Sequence, residues 1–138
     1  MTAPSIHDNR VVSYEVDGEQ RRIVLHTRSG GEREPIEFTD LIFEGVFAYH
    51  LEHDNFGNVL FGIEELPVAQ LVSQEHRLFE EGSKWAWPGP WNESPEASIA
   101  YLTSRRAKAF EISSSYGLDG WVVAESCRLE AVSSRRAG

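Results

Sequence analysis

The chain lacks several features that would narrow its class. It has one cysteine, Cys127, among 138 residues, so no disulfide can form within the chain. It has no apolar run of about eighteen residues, the length that a membrane-spanning helix requires. Its first residues lack the basic-then-apolar order of a secretory signal. These absences predict a soluble protein of a reducing compartment, and we expect it to be cytoplasmic.

Basic residues are scarce in the middle of the chain. In all, 13 lysines and arginines stand against 22 acids, which gives a net charge of −9. Residues 40–81 hold nine acids and one base, Arg77, and the difference of −8 is nearly the whole excess. Nucleic acids and anionic membranes bind surfaces of the opposite sign. We therefore expect binding to neither, and a partner protein with a basic surface is favoured.

Motifs typical of catalysis or metal binding are also missing. The chain has no glycine-rich phosphate loop, no His-Glu-x-x-His, no Gly-x-Ser-x-Gly and no spaced set of cysteines and histidines. His50 and Glu52 share one face of a strand and are weak metal candidates, but His53 is expected on the opposite face. Glu64 and Glu65 are adjacent on a strand and face opposite ways, which argues against paired acid and base chemistry. We therefore predict no cofactor and favour a protein without enzymatic activity.

Alternating apolar residues indicate a series of strands. In the fifth hydrophobic segment, Val59, Phe61 and Ile63 are expected to face inward. Turn residues separate the segments, and Gly45 is expected to mark a bulge. The alternation predicts about six to seven strands in the following segments: 12–16, 23–27, 36–38, 41–52, 59–63, 110–112 and 121–129.

Two helices are predicted between the last two pairs of strands. Pro67 opens the first, whose apolar residues recur at three-and-four spacing until Gly82. Ser94 and Pro95 are a cap and a first-turn proline that start the second. Strands followed by helices and a final hairpin predict an α+β fold, a mainly antiparallel sheet with both helices inserted before the last hairpin. We expect a single domain over 1–138, with loose termini at 1–10 and 133–138.

The sequence does not decide whether two glutamates of the last hairpin, Glu111 and Glu125, have a structural or a functional role. If strict alternation holds, Glu125 points toward the core with Trp121, Val123 and Cys127, where a carboxylate needs a partner. A bulge would turn it outward. Glu111 lies on the other strand of the same hairpin.

The remaining candidate residues are aromatic or acidic. The tryptophans of residues 83–93 form either an aromatic binding platform or a loop that covers the edge of the core. The candidate binding residues are Glu64, Glu65, Glu80, Trp85, Trp87, Trp91 and Tyr116.

Two passages carry a resemblance to known proteins. Residues 54–65 (DNFGNVLFGIEE) and 110–121 (FEISSSYGLDGW) resemble those of small uncharacterised bacterial proteins, a group that includes suspected immunity partners of secreted toxins. The resemblance covers residues 40–130 and implies a class of binding protein, but it assigns no site residue.

Three hypotheses of function follow. The first is a protein-binding module, of the immunity type, that meets a basic partner through the acidic residues of 40–81. The second is a small-ligand or hydrolytic protein with a pocket between sheet and helices, lined by Tyr116, the tryptophan loop and Glu64, Glu111 or Glu125. The third is a structural homo-oligomer that pairs through a sheet edge.

Overall fold

The computed structural model describes residues 5–30 and 34–133. These residues form a closed antiparallel barrel with two helices on its outer side. The strands follow one another around the barrel in the order β1-β2-β3-β6-β5-β4. The predicted α+β class, with both helices before the last hairpin, is confirmed. The elements are β1 (Arg10–Asp17), β2 (Arg22–Arg28), β3 (Phe38–Glu52), β4 (Val59–Leu66), α1 (Val68–Gly82), a 3-10 turn (Ser83–Trp85), α2 (Pro95–Ser104), β5 (Lys108–Tyr116) and β6 (Asp119–Val132).

The interior of the barrel is the larger of two apolar cores. The rings of Phe43 and Phe110 meet there with centroids 5.8 Å apart. Ile6 is also buried in this core, so the prediction of a loose N-terminus is wrong for residues 5–10. The predicted loose ends at 1–4 and 134–138 lie outside the described residues. The buried members of this core are Ile6, Ile23, Leu25, Leu41, Phe43, Val46, Leu60, Phe110, Ile112, Leu118, Val122 and Ala124.

The second core lies between the outer face of the sheet and the helices. The apolar stripe of α1 ends in Phe79, whose ring stacks on Trp121 with centroids 5.6 Å apart and on Trp91 at 6.0 Å. α2 starts as predicted, because Ser94 accepts a hydrogen bond from the backbone N–H of Ala97 at 3.1 Å. The helices cover one row of the sheet, which consists of Leu66, Ala109, Val123 and Ala48 in register.

Neither helix of the described chain has the length and hydropathy that crossing a bilayer would demand.

A bulge in β4 overturns one predicted face. The pairing of β4 with β5 shifts on both sides of Leu60, and Phe61 has no partner in register, so alternation is interrupted there. Leu60 is fully buried in the barrel and Ile63 packs against the same core, whereas Phe61 is 58% exposed. The prediction that Phe61 faces inward is therefore wrong.

A second irregularity decides between the two alternatives for Glu125, because it turns the side chain outward, away from the core. Trp121 and Val123 belong to the outer core, but Cys127 packs against the barrel interior, so the odd positions of β6 change sides around Glu125. Gly45, across from Glu125 on β3, has a φ of +63°, which L residues rarely adopt. Glu125 is exposed, and its side chain covers the position where a Cβ of Gly45 would stand.

Candidate functional site

Four carboxylates lie on the outer face of the sheet beside the row that the helices cover. Glu64 of β4 pairs with Glu111 of β5 in register, two residues along from the covered row. Glu52 of β3 pairs with Asp119 of β6 at the far end of the same face. Glu52, Glu64 and Glu111 are exposed and Asp119 is half-buried. We call these four residues the acidic sheet face.

Both pairs of the acidic sheet face oppose like charges. Side chains directly opposite one another on antiparallel strands have Cβ atoms about 5 Å apart, so equal charges there destabilise the sheet. Within the described ranges, no Lys, Arg or His lies within ion-pair distance of Glu64 or Glu111. The Glu64–Glu111 pair therefore lowers the stability of the sheet locally, and folding alone does not require it.

The second like-charge pair has a histidine beside it. His53 Nδ1 and Asp119 Oδ1 are 2.9 Å apart, a hydrogen bond in which the ring N–H donates to the carboxylate. This hydrogen bond, with the negative charges of Glu52 and Asp119, raises the pKa of His53 above its usual 6.5. The imidazole is fully exposed to solvent, so its charge is strongly screened.

The residues suited to a metal ion differ from those expected. Glu52, His53 and Asp119 each offer one ligand atom, and these atoms lie within 4.8 Å of one another. His50 is not in this group, because its ring packs edge-on against Trp87 with centroids 5.6 Å apart. His53 joins the group because it follows the end of β3 with a φ of +64°, where strand alternation no longer applies. The imidazole that accompanies Glu52 is therefore His53.

The other predicted acids and Tyr116 are not gathered with the acidic sheet face. Glu65 pairs with Phe110, which faces the barrel interior, so Glu65 lies on the opposite face from Glu64. Glu80 is an exposed residue of α1. Tyr116 is 63% exposed at the end of β5.

The three tryptophans of residues 83–93 divide between the two predicted roles. Trp91 packs against the outer core through Phe79, as a covering loop would. Trp85 is 76% exposed and Trp87 is 46% exposed, as a binding platform would be. The loop is held close to the sheet, since a Cβ on Gly89 would stand 2.4 Å from the Cβ of Ala48.

A groove of about 610 Å³ lies between this loop, the β1–β2 turn, the middle of β3 and the end of α2. Five charged residues line it: Asp17, Arg21, Arg22, Arg105 and Glu125. Sequence reasoning considered Arg105 only as an ion-pair partner for Glu125 and missed Arg21 and Arg22, because these two are distant in sequence from Arg105 and no spacing links them to it.

The groove only partly matches the pocket that was expected between sheet and helices. Glu125 and the loop residues Ala86, Pro88, Gly89 and Pro90 line it, as predicted for that pocket. Tyr116, Glu64 and Glu111 do not line it. The described residues thus present two separate features, an acidic sheet face and an arginine-lined groove. Comparison with protein-family models, with curated proteins and with solved structures found no match to this chain.

Proposed function

We propose that this protein binds a basic protein partner through the acidic sheet face and performs no chemistry there. The observation that carries the proposal is the Glu64–Glu111 pair, two exposed like charges in direct register with no cation near them among the described residues. A cationic side chain of a partner placed between the two carboxylates would remove their repulsion on binding. The repulsion in the free protein therefore becomes part of the binding energy.

The charge of the whole chain supports the same proposal. A net charge of −9 attracts a basic protein at long range and speeds its encounter, while the acidic sheet face sets the docked orientation. The partner class that fits this chemistry is a protein whose own site is basic because it handles phosphates, such as a nuclease-like toxin. An immunity-type role follows if the acidic sheet face occupies that site.

The test compares two variants that remove the same charge. E64Q/E111Q removes the paired carboxylates of the acidic sheet face, and E19Q/E37Q removes two exposed glutamates elsewhere. The probe is a deca-arginine peptide, and its affinity is measured by isothermal titration calorimetry at low and at physiological salt. We expect E64Q/E111Q to weaken binding by about tenfold, about 1.4 kcal/mol, and E19Q/E37Q to weaken it by less than about threefold.

Chemical-shift mapping of the same titration by NMR locates the peptide. We expect the largest shifts at Glu52, Glu64, Glu111 and Asp119. Equal losses for the two variants would show that only net charge matters and would overturn the proposal. An absence of binding at low salt would overturn it as well.

A further inference from the structure

The groove beside the tryptophan loop holds three arginines that the fold leaves available. Among residues 5–30 and 34–133, Arg128 is the arginine found in ion pairs, with Glu44 and Glu130, and Arg21, Arg22 and Arg105 take part in none.

All three arginines keep hydrogen-bond donors free, and two of them are held in place by an interaction. Arg21 donates from Nε to the carbonyl oxygen of Val46 at 3.2 Å, which leaves its two Nη groups. Arg105 lies over the ring of Tyr101, with 5.0 Å from Cζ to the ring centroid, and a guanidinium stacked on a ring keeps its edge for other partners. The Nε of Arg22 is buried and has no hydrogen-bond partner within the described structure.

The two acids of the groove do not neutralise these arginines. Asp17 Oδ1 accepts hydrogen bonds from the backbone N–H groups of Glu19 at 3.0 Å and Gln20 at 2.9 Å, so it is used to close the β1–β2 turn. Glu125 extends over Gly45, beyond ion-pair distance of the arginines. Three guanidinium groups against two carboxylates leave the groove formally positive on a strongly acidic protein.

The uncharged residues that line the groove are mainly apolar. Pro88, Gly89 and Pro90 form one side, and Gly89 lies directly against Phe47 and Ala48 of β3. The volume of about 610 Å³ lies within the range of about 300–1,000 Å³ that is typical of small-molecule sites. A ligand that fits would present an anionic group to the arginines and an apolar body to the prolines.

We propose that this groove binds a small organic anion, a molecule with a phosphate or carboxylate group attached to an apolar body. The planar guanidinium fork matches both groups, because each offers two or more oxygens at the spacing of two N–H donors. The inference is independent of the proposed function, since no residue of the acidic sheet face lines the groove.

The experiment uses the full chain and three probes that share a phenyl ring. Phenyl phosphate and benzoate each carry an anionic group, and benzyl alcohol carries none. Binding is followed by tryptophan fluorescence, to which Trp87 contributes beside the groove-wall residues Ala86 and Pro88, and by NMR chemical shifts. We expect the two anions to bind and benzyl alcohol to bind at least about tenfold more weakly. The stronger of the two anions identifies the preferred group.

Single substitutions assign the binding to the groove. R22Q and R105Q are each expected to weaken binding of the preferred anion by about tenfold, whereas R77Q, an equal change of charge on the exposed side of α1, changes it by less than about twofold. E125Q removes an acid from the groove and is expected to strengthen binding by about threefold, a gain that misfolding cannot produce. The proposal is overturned by equal effects of R22Q, R105Q and R77Q, by equal affinity for benzyl alcohol, or by weaker binding in E125Q.

Discussion

Removing the ring of Phe79 should strongly weaken the packing of the helical layer on the sheet. Phe79 is 1% exposed and stacks between Trp91 and Trp121, so Phe79→Ala leaves a cavity at the centre of the outer core. Burial of this kind is worth about 3–5 kcal/mol when Phe is cut to Ala. For 138 residues the entropy of unfolding is about 0.29 kcal/mol/K, so we expect Tm to fall by about 10–17 °C.

The free energy of unfolding is measured by urea titration, followed by circular dichroism and by tryptophan fluorescence. Phe56→Ala is the matched control, because Phe56 is fully exposed and the same truncation there should change stability by less than about 0.5 kcal/mol. Trp91 and Trp121 should also shift their emission to the red in Phe79→Ala, since each loses a stacked ring. If Phe79→Ala lowers the free energy of unfolding by less than about 1 kcal/mol, the packing of α1 on the sheet through Phe79 is refuted.

Two further predictions concern titrating groups. Burial, together with the negative charge of Glu65, raises the pKa of Cys127 to about 12. The native thiol should therefore react with a disulfide reagent at least about 100-fold more slowly than the thiol of the urea-unfolded chain. A native rate within about tenfold of the unfolded rate would contradict this prediction. The pKa of His53 should lie above 6.5 in an NMR titration and return toward 6.5 in Asp119→Asn. Because folding raises the pKa of His53, the stabilisation from its hydrogen bond to Asp119 is full below pH 6.5 and is lost as pH rises through the pKa of the folded state. Asp119→Asn should therefore lower the free energy of unfolding mainly below that pKa. An equal loss at all pH values would refute the role of this hydrogen bond.

The element order could be predicted from the sequence because it rests on local signals. The three-and-four spacing of α1, the Ser94 cap of α2 and the turn residues between strands each act over a few residues. Closure of the sheet into a barrel could not be predicted, because it depends on the pairing of β1 with β4, which are distant in sequence. Besides the register pair of Arg10 with Val59, backbone hydrogen bonds close the barrel: Asp8 N–H to Leu60 O, Leu60 N–H to Asn9 O and Val11 N–H to Asn58 O.

Side-chain direction departs from strict alternation at Phe61 and Glu125 for one physical reason. The strand is irregular in both places, which makes the inward prediction for Phe61 wrong and turns Glu125 outward, as the bulge alternative expected. A bulge adds or removes one residue on a face, and every later side chain then changes sides. Gly45 was the one local sign of such a break, and it lies on the strand opposite Glu125.

The sequence by itself determined the α+β composition, the position of both helices and the excess of acid in the middle of the chain. Only the tertiary structure decided which charges meet. Glu64 and Glu111 are 47 positions apart and Arg22 and Arg105 are 83 apart, so no spacing rule could join them. Cross-strand register put the first two opposite each other, and the packing of α2 beside the β1–β2 turn put the second two around one groove. Local patterns specify elements, whereas a site is made by contacts between elements, and those contacts exist only in the folded chain.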